Sequence, residues 1–371
     1  MRVGITGQAG FVGTHLFNTL GLTPEKFERV PFEDAFFAGE DALRTFVRRC
    51  DVIVHLAAVN RCPSDDELFT TNLQLVDQLI AAMTAEQVRP HVLFTSSSQE
   101  TRDNAYGRSK REGRERFERW ALANGARFTG LVVPNVFGPF GRPFYNSFVA
   151  TFAHQLTHGE TPVIQQDASI PLIDVISLCR FIVGQIESGG GKQRIEVPAD
   201  CTRRVSEVLH LFQHYTEGYL KAGVVPDLSD RNDLNLFNAF RSFIPLEHHF
   251  PVQLTPHADA RGSFVETIRL ESGGQVSFST TQPGVTRGNH FHIRKVERFT
   301  VLKGRACIEL RRIGTHKTYR FIVDGDQPAY VDMPVWYTHN IKNVGEELLY
   351  TQFWINEWYD PADPDTFAEN V

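Results

Sequence analysis

Two groups of residues in this chain could do chemistry, and they call for different chemistry. Toward the C-terminal end, Gly284, His290, His292, Glu297 and Gly304 recur at short spacing, followed by Pro334 and His339. Near the start, Gly7, Gly10 and Gly13 punctuate the run TGQAGFVG, and farther on Tyr106 and Lys110 stand four residues apart. The first group suits a metal ion. The second suits dinucleotide-dependent redox chemistry. One polypeptide with both points to two consecutive steps on one substrate.

The glycines, with Phe11 and Val12 among them, follow an apolar strand at residues 2–6 and open a helix at residues 10–20. Such glycines allow a tight turn, close approach of a pyrophosphate to the backbone, and tight helix packing, while the helix N-terminus offers amide donors. Tyr106 and Lys110 share one helix face. The ammonium favours the phenolate and makes the tyrosine a workable proton donor or acceptor. The run Thr95-Ser96-Ser97-Ser98 ends a strand and offers a hydroxyl to position a carbonyl.

His290 and His292, two apart on a strand, face the same side. Glu297 is an odd number of residues farther on, so a turn at Arg294-Lys295 must bring it back on a neighbouring strand. His339 closes the set. Three imidazoles and a carboxylate suit zinc, and also iron, manganese or nickel.

A chain of 371 residues is too long for one ordinary core. Up to about residue 180, strand-length apolar runs (51–57, 92–96, 128–133) alternate with helical patterns (72–83, 106–124), which predicts a doubly wound parallel sheet. Residues 206–221 are amphipathic, with Val208, Leu209, Leu211, Phe212, Tyr215 and Tyr219 as the apolar positions. After residue 252, short strands separated by Gly, Pro and Asp turns (263–269, 275–280, 298–302, 306–311, 317–323, 348–354) predict an all-β sandwich or barrel. The expected domains are 1–245 and 250–371, with 245–251 as linker.

With 42% hydrophobic and 22% charged residues the chain reads as soluble and globular. A net charge of −6 leaves no basic footprint for nucleic acid, so an anionic substrate needs local Arg or Lys. Five scattered cysteines make no disulfide framework and fit a reducing cytoplasm. Glycines at 4, 7, 10 and 13 break up a signal-peptide core, and no apolar run approaches a membrane span.

The pieces TGQAGFVG, HLAAVN (55–60), SSS (96–98), YGRSK (106–110) and VVPNVFGP (132–139) resemble the extended short-chain dehydrogenase/reductase family, with its Rossmann-like fold. The resemblance implies Ser97, Tyr106 and Lys110 as catalytic residues. It also implies that Leu56 and Ala57 line the cofactor beside the glycine loop, and that Asn135 meets substrate. Ser97 and Tyr106 are nine residues apart, shorter than the family pattern. Glu33 and Asp34 follow the second strand region and the nearest arginine is Arg29, which leaves NADP(H) and NAD both open.

The second group is similar to the cupin superfamily, with Trp336 where that family often has Gly. The implied metal ligands are His290, His292, Glu297 and His339, with zinc or another divalent ion. The stretches around Asp259–Arg261 and Arg287–His290 also resemble cupin epimerases of nucleotide 4-keto-6-deoxysugars, in which such arginines (here Arg261 and Arg287) hold substrate phosphate. In those enzymes the histidine at the position of His290 is the base. A metal-bound His290 cannot play that part, and Tyr337 is one other candidate.

Reductase followed by cupin, with DNAYGRSK, FGPFGRPFYNSF, RGNHFH, PVWYTHNI and NEWYDPADPDTF, resembles the CapF/WbjC family of bifunctional capsular polysaccharide and O-antigen enzymes. The resemblance implies C3 epimerisation of a UDP-2-acetamido-2,6-dideoxy-4-hexulose in the cupin. It implies C4 reduction in the first domain, giving UDP-2-acetamido-2,6-dideoxy-L-talose in a homodimer. The alternative is a nucleotide-sugar reductase with a structural or sugar-binding cupin.

Overall fold

The computed structural model describes residues 1–371. The chain forms two compact units, Met1–Phe137 with Ser169–Arg203, and Gly138–Ala168 with Arg204–Val371.

The first unit is built on parallel strands β1 (Arg2–Thr6), β2 (Glu28–Val30), β3 (Val52–His55), β4 (His91–Ser97) and β5 (Phe128–Val133). After β6 (Asn135–Phe137) and β7 (Ser169–Asp174), which pair with each other, β8 (Ile195–Glu196) completes the sheet. The order is β2-β1-β3-β4-β5-β8, so the winding reverses between β1 and β3, the switch point at whose carboxyl ends sheets of this kind bind ligands. Val3, Ile5, Val52, Ile53, Val54, Val92, Leu93, Leu131 and Val132 are at most 2% exposed, as strands covered on both faces require. Each such side chain contributes about 1.5–3 kcal/mol relative to exposure.

The helices α1 (Phe11–Leu20), α2 (Glu40–Arg48), α3 (Asp65–Ala85) and α4 (Ala105–Asn124) lie between these strands in the chain. α3 starts well before the expected residue 72. Ser64 caps it by accepting from the Glu67 amide at 3.1 Å, and Asp65, Asp66 and Glu67 offset the helix dipole. α4 is capped by Asn104 and stops at Gly125, whose φ of +63° ends the helix in the left-handed region.

The second unit contains two five-stranded sheets, antiparallel throughout their recorded pairings. One runs Val252–Gln253, Ala329–Met333, Glu297–Lys303, Leu349–Ile355, Gln275–Thr281. The other runs Thr318–Asp324, Arg305–Arg312, Tyr337–Asn343, Thr286–Phe291, Phe367–Ala368. This is the all-β architecture expected of a cupin. Phe299, Val301, Ile308, Leu310, Val331 and Ile341 belong to its core. The expected strand at 263–269 splits into Gly262–Val265 and Arg269–Leu270. Ala329–Met333 and Tyr337–Asn343 escaped prediction because they are buried almost throughout and show no alternation.

The expected linker at 245–251 is not a free tether. Leu246 and Phe250, at 7% and 5% exposure, belong to the core of the second unit. The amphipathic segment forms Val205–Tyr215 followed by a π-helical turn, Thr216–Lys221, and also belongs to this unit. Its Tyr219 hydroxyl donates to Asp332 at 2.5 Å, and Asp332 is held by Arg298 through bonds of 2.7 and 2.9 Å. No helix is long and apolar enough to cross a membrane.

Candidate functional site

In the first unit the turn after β1 brings the glycines against the end of β3. Gly7 has φ +70°, and a Cβ there would lie 2.9 Å from the Ala57 backbone. At Gly13 a Cβ would lie 2.2 Å from the Gly7 carbonyl, so the first turn of α1 packs onto the loop only without a side chain. Gly10 precedes α1 with no side-chain cap, which leaves its first amides for an anion. The structure therefore assembles Gly7, Gly10 and Gly13 with Leu56 and Ala57, and Phe11 and Val12 open the helix. Arg29 lies over the Phe17 ring at 4.4 Å and donates to the Phe17 carbonyl.

Ser97 ends β4, is half-buried, and caps the short turn Ser98–Thr101 by accepting from the Gln99 amide at 3.2 Å. That turn explains how nine residues suffice between Ser97 and Tyr106. The Gln99 carbonyl closes down on Gly107, where a Cβ would meet it at 2.1 Å. Tyr106 is half-buried in the first turn of α4. Lys110 is buried, its Nζ 5.8 Å from the Tyr106 ring centroid and donating to the Thr95 carbonyl at 2.9 Å. Burial pulls its ammonium down to about 8. Asn135 is exposed at the start of β6.

Sequence reading missed Asn72 on α3. Its side chain accepts from the Val59 amide and donates to the Val59 carbonyl and the Ser109 hydroxyl, at 2.7, 3.0 and 3.1 Å. It thereby ties the loop after β3 to the helix that carries Tyr106 and Lys110. A buried asparagine beside apolar positions was the only local signal.

In the second unit the predicted metal set comes together. The ligand atoms of His290, His292, Glu297 and His339 all lie within 4.8 Å of one another. His290 and His339 sit on paired strands, and His292 lies just past the end of the first. Glu297 comes from the other sheet rather than from a neighbouring strand, because the turn after His292 crosses between the sheets. Its Oε2 is 3.1 Å from Nε2 of both His292 and His339.

The rings are aimed from behind. His292 Nδ1 lies 2.5 Å from the Asp365 carbonyl, and His339 Nδ1 lies 3.2 Å from the Tyr337 carbonyl. Such bonds direct the Nε2 atoms inward. Buried His339 Nε2 makes no hydrogen bond of good geometry, which fits a ring nitrogen reserved for a metal. Burial, then His339 and His292, push His290 down to about 4, the neutral form a ligand needs. Burial opposes ionisation of Glu297, yet its close contacts with His292 and His339 hold its carboxyl well below the usual range.

Arg287 shares the strand of His290 and donates to Thr281 and the Thr280 carbonyl, both at 3.1 Å. Arg261 sits on an exposed hairpin, paired with Asp259 at 2.5 Å. Burial raises Tyr337 to about 12, so it is a phenol rather than a ready base near neutrality. Trp336 has φ +62°, which accounts for the usual glycine, and its ring stacks on Phe291 at 5.6 Å.

Residues 3–197 match the NAD dependent epimerase/dehydratase family, and residues 257–367 match the polysaccharide biosynthesis C-terminal domain. A Pseudomonas aeruginosa protein named UDP-2-acetamido-2,6-beta-L-arabino-hexul-4-ose reductase is 33% identical over 100% of this chain and 99% of its own. The crystal structure of the capsular polysaccharide assembling protein CapF from Staphylococcus aureus matches over 100% of both chains, with TM-score 0.64 and 30% identity. The chain belongs to the CapF family. The spore coat polysaccharide biosynthesis protein SpsL of Bacillus subtilis is 29% identical over 30% of this chain and 82% of its own. Both groups of residues in this CapF-family chain fall inside the matched regions. It is an enzyme with an NAD(P) cofactor and a cluster that could hold a metal.

Proposed function

We propose that the chain is a two-step nucleotide-sugar enzyme. Its barrel epimerises C3 of a UDP-2-acetamido-2,6-dideoxy-4-hexulose, and its Rossmann-like unit reduces C4, giving UDP-2-acetamido-2,6-dideoxy-L-talose. The full-length likeness to the Pseudomonas aeruginosa reductase supports the C4 reduction, and the histidine–carboxylate cluster supports a second step in the barrel. NADPH, or NADH in its place, supplies the hydride. Ser97 positions the C4 carbonyl, Tyr106 donates a proton to the oxygen, and Lys110 steadies the phenolate left behind. Asn135 contacts the sugar, and the arginines 261 and 287 bind the diphosphate. His290, His292, Glu297 and His339 would hold zinc or another divalent ion, which would supply Lewis acidity to the C4 oxygen as the C3 proton is lost. Epimerisation comes first, because C3 is acidic only while C4 is a ketone. The functional form is a homodimer.

The test follows the intact protein with the 4-keto substrate in D2O, reading NAD(P)H oxidation and deuterium at C3. Wild type should incorporate deuterium at C3. His290→Ala should lose that exchange but still reduce the pre-epimerised ketone. Exchange that persists in the variant, or is missing from wild type, would reduce the barrel to a structural or sugar-binding module of a simple reductase.

A further inference from the structure

The C-terminal stretch NEWYDPADPDTF takes no part in the proposed chemistry, yet it wraps the elements that carry the histidine–carboxylate cluster. Asp365 lies near its end, 3% exposed and with φ +42°, a left-handed conformation that packing must impose on a non-glycine residue. Its carbonyl lies 2.5 Å from His292 Nδ1. Its carboxylate accepts from three successive amides, Ile293 at 3.2 Å, Arg294 at 3.0 Å and Lys295 at 2.9 Å. Those amides form the turn between His292 and Glu297. One residue therefore sets the ring of one ligand and the backbone leading to the next.

The neighbouring residues close the same turn. Arg294 pairs with Glu357 at 2.9 Å and Asp363 at 2.8 Å. Lys295 Nζ donates to the Pro364 carbonyl at 2.6 Å, and the Asn356 side chain accepts from the Val296 amide at 2.8 Å. Beyond Asp365, Phe367 and Ala368 pair with Phe291 and His290, and the Glu369 carbonyl accepts from Thr338, next to His339. Each of the four candidate ligands thus lies on, or next to, a residue that residues 356–369 grip.

We infer that residues 356–369 are a clasp that preorganises the metal cluster, with Asp365 as the positioning residue for His292 and Glu297. The inference rests on the metal-site reading and adds to it. A ring held by a carbonyl on Nδ1 keeps the tautomer that presents Nε2. A turn fixed by a buried carboxylate spares the metal the cost of ordering it.

Full-length wild type, Asp365→Ala and Asp365→Asn are compared by competition for Zn2+ against a chromophoric chelator, with thermal unfolding of the metal-free proteins alongside. Asp365→Ala should bind Zn2+ about 10–100-fold more weakly, with Asp365→Asn in between. A merely structural role would lower the melting temperature and leave the affinity of the folded protein alone. Unchanged affinity in a cooperatively folded Asp365→Ala protein overturns the inference. If neither variant folds, amide exchange in the wild type decides. Coupling is reciprocal, so Zn2+ must slow exchange at Ile293, Arg294 and Lys295, and unchanged exchange overturns the clasp. A wild type that binds no Zn2+ overturns the metal site as well, a result distinct from the other two.

Discussion

His290 and His339 are direct partners across two antiparallel strands, their ring centroids 4.6 Å apart. The register shifts between Gly288 and His290, where Asn289 takes a left-handed φ of +60°. Bulges of this kind re-aim side chains beside functional sites. Here the shift sets His290 opposite His339, while Glu297 approaches from the other sheet.

Because three of the four candidate ligands are buried and two of the rings are held from behind, metal binding should stabilise the fold by mass action. Zn2+ at 100 times its dissociation constant should add about 2.7 kcal/mol. His339→Ala should abolish the rise in melting temperature. An equal Zn2+-induced rise in that variant would mean that the ion binds elsewhere.

Lys110 should cost stability in return for its catalytic role. A shift from 10.5 to about 8 by burial corresponds to roughly 3 kcal/mol, partly offset by its bond to the Thr95 carbonyl. Lys110→Met should therefore abolish reduction yet raise stability near pH 7 by about 1 kcal/mol. The sign with pH is definite. Between about 8 and 10.5 the unfolded chain binds the proton that the folded chain releases, so wild-type stability rises with pH there. The advantage of the variant should shrink between pH 7 and 10 in parallel denaturant titrations. A constant difference would refute the assignment.

Gly13→Ala should destroy cofactor binding, since the new Cβ would stand 2.2 Å from one backbone oxygen and 2.8 Å from another. Titration of NADPH fluorescence reads this directly. Gly184→Ala is the control. It sits in the helix Val175–Ser188 with open space around it, and should stabilise by about 1 kcal/mol.

The buried pair of Arg298 and Asp332, each side chain 2% exposed, should behave non-additively. Removing either partner should cost about 3–5 kcal/mol by leaving an uncompensated charge. Arg298→Met with Asp332→Leu should cost far less than the sum of the single changes, although Tyr219 then also loses its acceptor. Urea midpoints of the four proteins form the cycle. Additive losses would show that the two side chains do not interact.

What the sequence determined by itself was local. Strand and helix lengths follow from the spacing of apolar residues, and the glycine loop, the Tyr106–Lys110 pair and the histidine motif lie within short windows whose chemistry depends on residue type. Buried strands such as Tyr337–Asn343 were hidden, because continuous burial erases the alternation that marks a strand. Tertiary structure alone decided which distant parts meet. It placed Leu246 and Phe250 in the core of the second unit rather than in a tether. It brought Glu297 across from the other sheet, and it laid Asp365 behind His292. The last of these joins residues far apart in the chain through a backbone carbonyl and backbone amides. Every residue carries those groups, so no residue type announces them in advance.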